Sequence, residues 1–495
     1  MLSSGDARHC RPVRGPRGAV AAAHPLAVSA GVRALDHGGS AVDAALAAQA
    51  VLCVVAPQAC GLGGDMLALV RTDDGMVVAV NGTGAAPAGR LAGILTDGGG
   101  SVLVPGLVDG WVTTHRRWGR LSLAELLEPA WRLASHGLVV DDDLASAVSA
   151  QRSRLLRGGA EGWPLLLRPA GTLWQQPELA TALGDIAGTD GESFYQGPLA
   201  AAIEVACARD GGTLTVEDLA AHQTPVVAPV ATAWAGGTAY VQPPSSQGVL
   251  LAMALRWLER HGADLDLQTP SGAVHVLVEL IGAAFSLRDR SGEGAGLLAE
   301  NLEVELSTAT RRTGPRAYLH TAGVATADST GMVVSSLISV FDDFGSGTFV
   351  PEGGFTLNNR AGGFTTGPNA PACGARPVHT LAPALLVGPD GTTTAMATPG
   401  ADGQVQTLLQ VLASQRYAGA DLASALAAPR WRSQDGQVLV EAGHPGAGQL
   451  SRRGHLVQPR PAGADLFGAV VVAGHDGTSP FAAADWRRTV WSGAL

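Results

Sequence analysis

Thr321 opens a run, TAGVATADSTGMVVSSLISV, that turns at Asp328-Ser329-Thr330-Gly331. FGSG (Phe344 to Gly347) and GGFTLNNR follow, then RPVHTLAP from Arg376 to Pro383. The stretch from Ala317 to Pro383 therefore gathers hydroxyl, amide, guanidinium and imidazole groups among glycines. The chemistry these types offer is nucleophilic. A threonine hydroxyl attacks poorly unless a base sits beside it. A threonine at a chain terminus carries its own base, an α-amine that titrates at roughly 7.7–8.0, so no separate histidine or carboxylate is needed. By residue type alone Thr321 reads equally as one β-branched strand residue among several, with Thr326 and Thr330 close by.

The order of these blocks resembles the γ-glutamyltranspeptidase family of N-terminal-nucleophile hydrolases. HPLAVSAGVRALDHGGSAVDAALAAQAVLCVVAPQACGLGGDM, PGLVDGW (Pro105 to Trp111), LEPAWRLASHGLVV and FYQGPLAAAI carry the same resemblance, which spans roughly residues 18 to 490. It implies an α+β chain folded as a four-layer αββα sandwich (the Ntn hydrolase fold), made in one piece and cut once by itself. In the family the nucleophile stands seven residues before the Asp of a D-x-x-G turn. Counting back from Asp328 gives Thr321, and His320-Thr321 as the cleavage site. Residues 1–320 then form a large segment and 321–495 a small one, held together as a heterodimer.

The resemblance also implies roles for individual residues. Ser339 falls where relatives hydrogen-bond the catalytic threonine through a second hydroxyl. Pro399-Gly400-Ala401 matches a P-G-G turn whose backbone amides, those of Gly400 and Ala401, form an oxyanion hole. The pocket departs from the pattern. Thr83 and Ala85 stand where relatives carry a carboxylate-binding arginine. Gly363 stands where they carry an ammonium-binding Asp, and Phe341 where they carry an Asn. His379-Thr380 replaces a Ser-Ser pair, and Asn359 of the LNN block completes the candidate substrate pocket. A zwitterionic head group needs a cation and an anion to offset its desolvation. Arg360 or Arg376 supplies charge from elsewhere, or serves in a structural ion pair. Three readings follow: an amidohydrolase acting on a γ-glutamyl amide; a biosynthetic homologue cleaving a non-glutamyl amide or a C–C bond, as in alkylproline-type pathways; and an unprocessed, inactive binding protein. None calls for a metal or organic cofactor.

The elements around these residues are legible. Gly18 to Ala23 reads as a strand and Leu26 to Asp36 as a helix stopped by Gly38-Gly39. Ser40 caps a further helix, Ala41 to Val54. GLGGD (Gly61 to Asp65) lacks a full G-x-G-x-x-G and follows a helix, so it is read as a turn feeding a strand from Met66 to Arg71 rather than a dinucleotide loop. Helices are predicted at Leu123 to His136, Ala273 to Ser286 and Val405 to Ser414. Strands are predicted at Met76 to Val80, Val333 to Val340, Ala384 to Val387, Thr393 to Ala397, Gln437 to Glu441 and Ala469 to Ala473. The polar stretch from Arg288 to Pro315 reads as a surface path toward residue 320.

Composition sets the outer limits. The 495 residues are 46% hydrophobic and 15% charged, enough for a large core, and length alone suggests two or three domains. The formal charge is −10 with no basic block, which argues against nucleic acid. The five cysteines, Cys10, Cys53, Cys60, Cys207 and Cys373, show neither metal-ligand nor redox spacing. Cys53 and Cys60 read as buried small hydrophobes. The apolar AVAAAHPLAVSAGV is broken by Pro25 and too short for a membrane span, so the chain reads as cytoplasmic, with a small-molecule acyl substrate.

Overall fold

A computed structural model describes residues 6–89, 93–310, 312 and 321–495. Two strand sequences explain its layering. In Ala322–Asp328 and Val333–Ser339 every residue is buried, so neither strand has a wet face. One face presents Ala325, Ala327, Val333 and Leu337, and these pack with Ala395, Ala397, Val471 and Ala473 from a second sheet and with Leu381 just before it. The small side chains let the two sheets approach closely. The other face presents Val324, Val334 and Ile338, which pack under helices. A sheet buried on both faces requires cover on both sides.

We label the elements nearest the site β1 (Gly18–Ala22), β2 (Asp65–Arg71), β3 (Val77–Gly82), β4 (Ala322–Asp328), β5 (Val333–Ser339), α1 (Ala41–Val55) and α2 (Gly403–Ala418). The first seven-stranded sheet runs Trp491–Ala494, β1, β4, β5, β2, β3, Val226–Val227. The second runs Val13–Arg14, Pro480–Ala484, Val471–His475, Thr393–Ala397, Ala384–Val387, Gly237–Val241, Val230–Trp234. Neighbouring strands within both sheets pair antiparallel. Helices Pro25–Asp36, α1 and Leu123–His136 cover the outer face of the first sheet. Gly248–His261, Pro270–Phe285 and α2 cover the second. This is the four-layer αββα arrangement expected from the sequence, and it is one unit rather than two or three domains.

Strand interleaving explains why. β4 lies between β1 and β5, and β5 between β4 and β2. Strands from before and after residue 321 are therefore intermixed in both sheets, joined by ladder hydrogen bonds. The α1 junction adds to this. Ser40 and Asp43 form a reciprocal capping box, while Asp328 Oδ2 accepts from Ala41 N–H (2.9 Å) and Thr326 Oγ1 donates to Ala41 O (2.6 Å). The Asp328 turn is closed by Thr330 N–H and Met332 N–H on Oδ1, with Gly331 at φ 86°.

Most element boundaries agree with the sequence to within two residues, and Leu123–His136, Ala384–Val387, Thr393–Ala397 and Gln437–Glu441 agree throughout. Three differ more. The last predicted strand begins two residues later and runs Val471–His475, set by its pairing with Thr393–Ala397. The helix predicted from Ala273 begins at Pro270, because Thr269 caps it and Pro270 suits its first turn. Its apolar surface extends almost all round, since it is packed inside the helical layer. α2 starts at Gly403 and continues to Ala418, ending at the left-handed Gly419. Arg288–Ala299 forms a 3₁₀ segment, while His320 and part of the path leading to it lie outside the described residues. Cys53 and Cys60 are buried free thiols. Among the described residues no single helix is long and apolar enough to cross a membrane.

Candidate active site

Strand alternation decides which side chains meet. Ala325 and Ala327 face the gap between the sheets, so Thr321, an even number of residues earlier, faces it too. Ser339 shares the face of Val333 and Leu337. Ala322 pairs with Ile338 in the β4–β5 register, which sets Thr321 opposite Ser339. The Thr321 hydroxyl donates to Ser339 Oγ at 3.4 Å, and Ser339 Oγ in turn accepts from Phe341 N–H at 2.9 Å. Thr321 is only 5% exposed. The expected hydroxyl partnership is therefore present.

The second sheet brings the oxyanion candidates to the same place. Thr393–Ala397 leads into Pro399-Gly400-Ala401, and Pro399 lines a cavity of about 350 Å³ together with Thr321. Gly400 has φ 120° and Ala401 φ 47°. The Cβ at Ala401 is thus accommodated in a left-handed conformation that costs roughly 1–2 kcal/mol for an L-residue. Among the described residues neither the Gly400 nor the Ala401 N–H has a hydrogen-bond partner. Both precede α2, so its helix dipole adds positive potential where negative charge would develop. The carbonyl of Ala401 is held by Gln247 Nε2 (3.2 Å), which also donates to Thr380 O (3.0 Å).

Next to Ser339 lies a buried ion pair. Ser339 pairs with Asp65 across β5 and β2, so their side chains share a face. Asp65 Oδ2 accepts from Arg360 Nε (2.8 Å) and from His379 Nε2 (3.2 Å). The Leu381 N–H donates to His379 Nδ1 (3.1 Å), which places the imidazole proton on Nε2. Burial and the Arg360 charge lower His379 to about 4, against the pull of Asp65, so the ring is neutral. Burial would raise the Asp65 carboxyl, but Arg360 and His379 outweigh it and hold it below the usual range. The Phe341 ring lies 4.5 Å from the Arg360 guanidinium carbon, and Phe341 itself sits at φ 86°.

The remaining candidates lie around this pair with their polar atoms largely committed. Thr83 donates its hydroxyl to Asn81 Oδ1 (2.6 Å), and its carbonyl accepts from Arg376 Nε (2.9 Å). Asn359 Nδ2 donates to Thr96 O (2.8 Å) and Asp342 Oδ2 (2.7 Å). Gly363 packs so closely on Pro377 and Val378 that a Cβ would meet them at 3.2–3.3 Å. Thr380 is buried behind Gln247. Neither a cation at Thr83 nor an acid at Gly363 faces the pocket. Arg360 is the buried cation, as the ion-pair alternative anticipated.

Sequence reasoning did not single out Asp65 or Gln247. A lone carboxylate heading the apolar strand DMLALVR was the available signal for Asp65. Gln247 carried none, because its role is to hold a backbone carbonyl 154 residues away. The GLGGD turn is explained by crowding. A Cβ at Gly63 would meet Thr356 O at 2.3 Å, and one at Gly64 would meet Ser339 O at 2.5 Å. Those glycines let the backbone pass directly beneath Ser339.

The sequence profile of the gamma-glutamyltranspeptidase family matches residues 27–493. The chain belongs to that family. It is 31% identical to the oxamate amidohydrolase proenzyme of Klebsiella pneumoniae over an alignment of 454 positions covering 84% of each chain. To the acylase ACY 1 proenzyme of a Pseudomonas species it is 30% identical over 527 positions, covering 96% of this chain and 93% of that one. The crystal structure of a cephalosporin acylase from Bacillus halodurans superposes with a TM-score of 0.88 at 28% identity, covering 98% of this chain and 97% of the other. As a member of the family the chain is a hydrolase of the N-terminal-nucleophile fold, and relatives named as proenzymes are made as precursors.

Proposed function

We propose that this chain is a self-processing amidohydrolase in which Thr321 is the nucleophile, acting on an acyl group other than a standard γ-glutamyl unit. The 3.4 Å approach of Thr321 to Ser339 inside a cavity shared with Pro399 carries this reading. In processing, the Thr321 oxygen bonds to the His320 carbonyl carbon and the His320-Thr321 C–N bond breaks. The hydroxyl proton ends on the new α-amine. Water then adds to the ester carbonyl and frees residues 1–320 from a small segment that begins with Thr321.

Turnover repeats the attack on substrate. The α-amine takes the hydroxyl proton and hands it to the departing nitrogen, the Gly400 and Ala401 amides hold the oxyanion, and water releases the acid. The altered pocket supports a non-glutamyl acyl group, since Thr83 and Gly363 bring no charge where relatives carry a pair. The cavity wall supports an amine leaving group: Asp141, Asp143, Asp343 and Asp465 line it against the single guanidinium of Arg488. An amine that takes up a proton on leaving is favoured beside such carboxylates.

Intact mass under denaturing conditions tests the reading. Wild type should give fragments of 320 and 175 residues, the smaller beginning at Thr321. Thr321→Ala should remain at 495 residues and hydrolyse nothing. If Thr321→Ala is cut at the same bond, another nucleophile does the work and the reading fails.

A further inference from the structure

The helix Pro270–Phe285 carries a histidine and a carboxylate one turn apart. His275 and Glu279 stand at i and i+4, so both project from one face of that helix. The face is dry: His275 is 0% and Glu279 2% exposed. His455 reaches them from far along the chain. It follows the short helix Ala447–Arg452, which ends at the left-handed Gly454. His455 N–H donates to Leu450 O (3.1 Å) and Gly454 N–H to Ser451 O (3.0 Å). These are the paired bonds of a Schellman ending, and they fix the direction in which the chain leaves the helix.

Three ligand atoms, one from each of these side chains, lie within 4.8 Å of one another. His275 Nδ1 faces His455 Nε2 at 2.8 Å, and His455 Nε2 lies 3.9 Å from Glu279 Oε1. A tetrahedral zinc ion with bonds of roughly 2.0–2.2 Å spaces its ligand atoms about 3.3 Å apart, between those two distances. As a hydrogen-bonded pair the two imidazoles share one proton between the facing nitrogens. Moving that proton to the outer nitrogen of its own ring turns both lone pairs onto one point.

The carboxylate is short of positive charge, and burying one without a cation is costly. Arg312, its ion-pair partner, donates to the backbone carbonyls of Glu279 (3.2 Å) and Glu303 (3.1 Å) and meets Glu279 Oε2 only at 3.5 Å. Among the described residues Oε2 has no hydrogen-bond donor, while Oε1 accepts from Thr310 N–H at 2.8 Å.

We propose that His275, Glu279 and His455 bind one zinc ion. Two neutral imidazoles and one carboxylate suit zinc, and not magnesium or calcium, which take oxygen ligands. The Thr310 bond to Glu279 is then the outer hydrogen bond that orients a ligating carboxylate. The ion enters from the His455 side, where Gly454 and Leu456 are exposed. None of the three ligands is among the described residues lining the cavity beside Thr321, so the ion acts on structure and not on the nucleophile. His275 and Glu279 precede residue 321 and His455 follows it, so the ion joins the two segments. The joining rests on the reading that the chain is cut before Thr321; the binding of zinc does not.

Zinc titration against a chromophoric chelator tests this on the metal-stripped full-length chain carrying Cys373→Ser, a change that removes the exposed thiol. About one zinc per chain should bind, and zinc should raise the melting temperature while magnesium does not. His455→Ala should weaken binding by more than about 100-fold and abolish the zinc-dependent rise. His455→Gln removes the imidazole ligand but keeps a hydrogen-bonding group beside His275, and should lose zinc in the same way even if the alanine variant fails to fold. No zinc binding, wild-type affinity in the His455 variants, or an equal rise with magnesium would each overturn the assignment. Self-processing is read on the same samples by mass. A wild type that binds zinc through His455 but stays uncut removes the nucleophile reading and leaves the metal site standing. One that cuts itself but binds no zinc does the reverse. In the cut protein, stripping zinc should lower the urea concentration at which the two fragments separate, and an unchanged midpoint would overturn the joining role.

Discussion

Thr321 Oγ1 lies 3.4 Å from Ser339 Oγ, although Thr321 precedes β4, Ser339 ends β5 and the two are separated by 18 residues. The β4–β5 hairpin makes this contact by register alone: a one-residue slip would turn one of the hydroxyls to the helical side of the sheet. Ser339 also accepts from Phe341 N–H, so its oxygen is fixed from both sides. Ser339→Ala should leave the fold intact and slow both self-cutting and turnover by roughly tenfold, the worth of one hydrogen bond to the reacting group. A gel time course of processing and kcat on the mature enzyme check this. Unchanged rates would reduce Ser339 to a strand residue.

Gly400 and Ala401 make opposite predictions. Gly400 sits at φ 120°, where no L side chain rests comfortably, so Gly400→Ala should cost on the order of 1–3 kcal/mol and displace an oxyanion donor. A loss of about 10²–10³ in kcat is expected with KM little changed. Ala401 already bears a Cβ at φ 47°, so Ala401→Gly should raise stability by about 1 kcal/mol and leave kcat near wild type. Thermal melts and steady-state kinetics on both variants test the pair.

A buried network locks the C-terminal end against the second sheet. Arg487 donates from Nη2 and Nε to Glu441 (2.6 and 3.0 Å) and from Nη1 to Asp485 (3.0 Å), and Asp485 also pairs with Arg430. All four residues are buried. Arg487→Met leaves the buried Glu441 carboxylate without its cation, while Asp485 keeps Arg430, and should destabilise the chain by roughly 3–5 kcal/mol in denaturant titration. A loss below 1 kcal/mol would mean that solvent reaches the network.

Protons set a further dependence. His379 is lowered to about 4 in the folded chain by burial, and His444 to about 4 for the same first reason. Unfolded, both titrate near 6.5. Between about pH 4 and 6.5 the unfolded state therefore binds more protons, so the stability these rings contribute is full above 6.5 and falls as pH drops toward 4. Melting temperature should be level from pH 8 to 7 and decline below 6.5. His379→Gln should remove about one proton of uptake per unfolding event near pH 5. Identical uptake in the two proteins would show that the imidazole is charged in the fold.

Much of the fold was legible because local signals and global packing agree. Ser40 announced a helix start, Gly38-Gly39 a stop, and Asp328 with Gly331 a tight hairpin. Thr321 was legible only through its distance from Asp328 and the blocks around it. As a residue type it is indistinguishable from Thr326, which spends its hydroxyl on Ala41 O on the other side of the sheet. Two helix ends were missed: Pro270, where Thr269 caps the helix ahead of its apolar run, and Ala418, where the helix continues past its apolar periodicity to the left-handed Gly419.

The sequence by itself marked most helices and strands and the hairpin at Asp328–Gly331, through turn chemistry and periodicity that act over a few residues, while the layer order and the role of the Pro399-Gly400-Ala401 turn came from the family resemblance. Only the tertiary structure decided what the pocket presents. Asp65, Arg360 and His379 are up to 314 residues apart, and their charges acquire meaning only when β2, the LNNR block and the RPVHT segment converge in the buried interior. Burial turns those separate residues into one neutral imidazole, one committed carboxylate and one paired guanidinium. Hydropathy patterns do not encode that relation, since it arises from which desolvated charges lie within hydrogen-bond reach of one another.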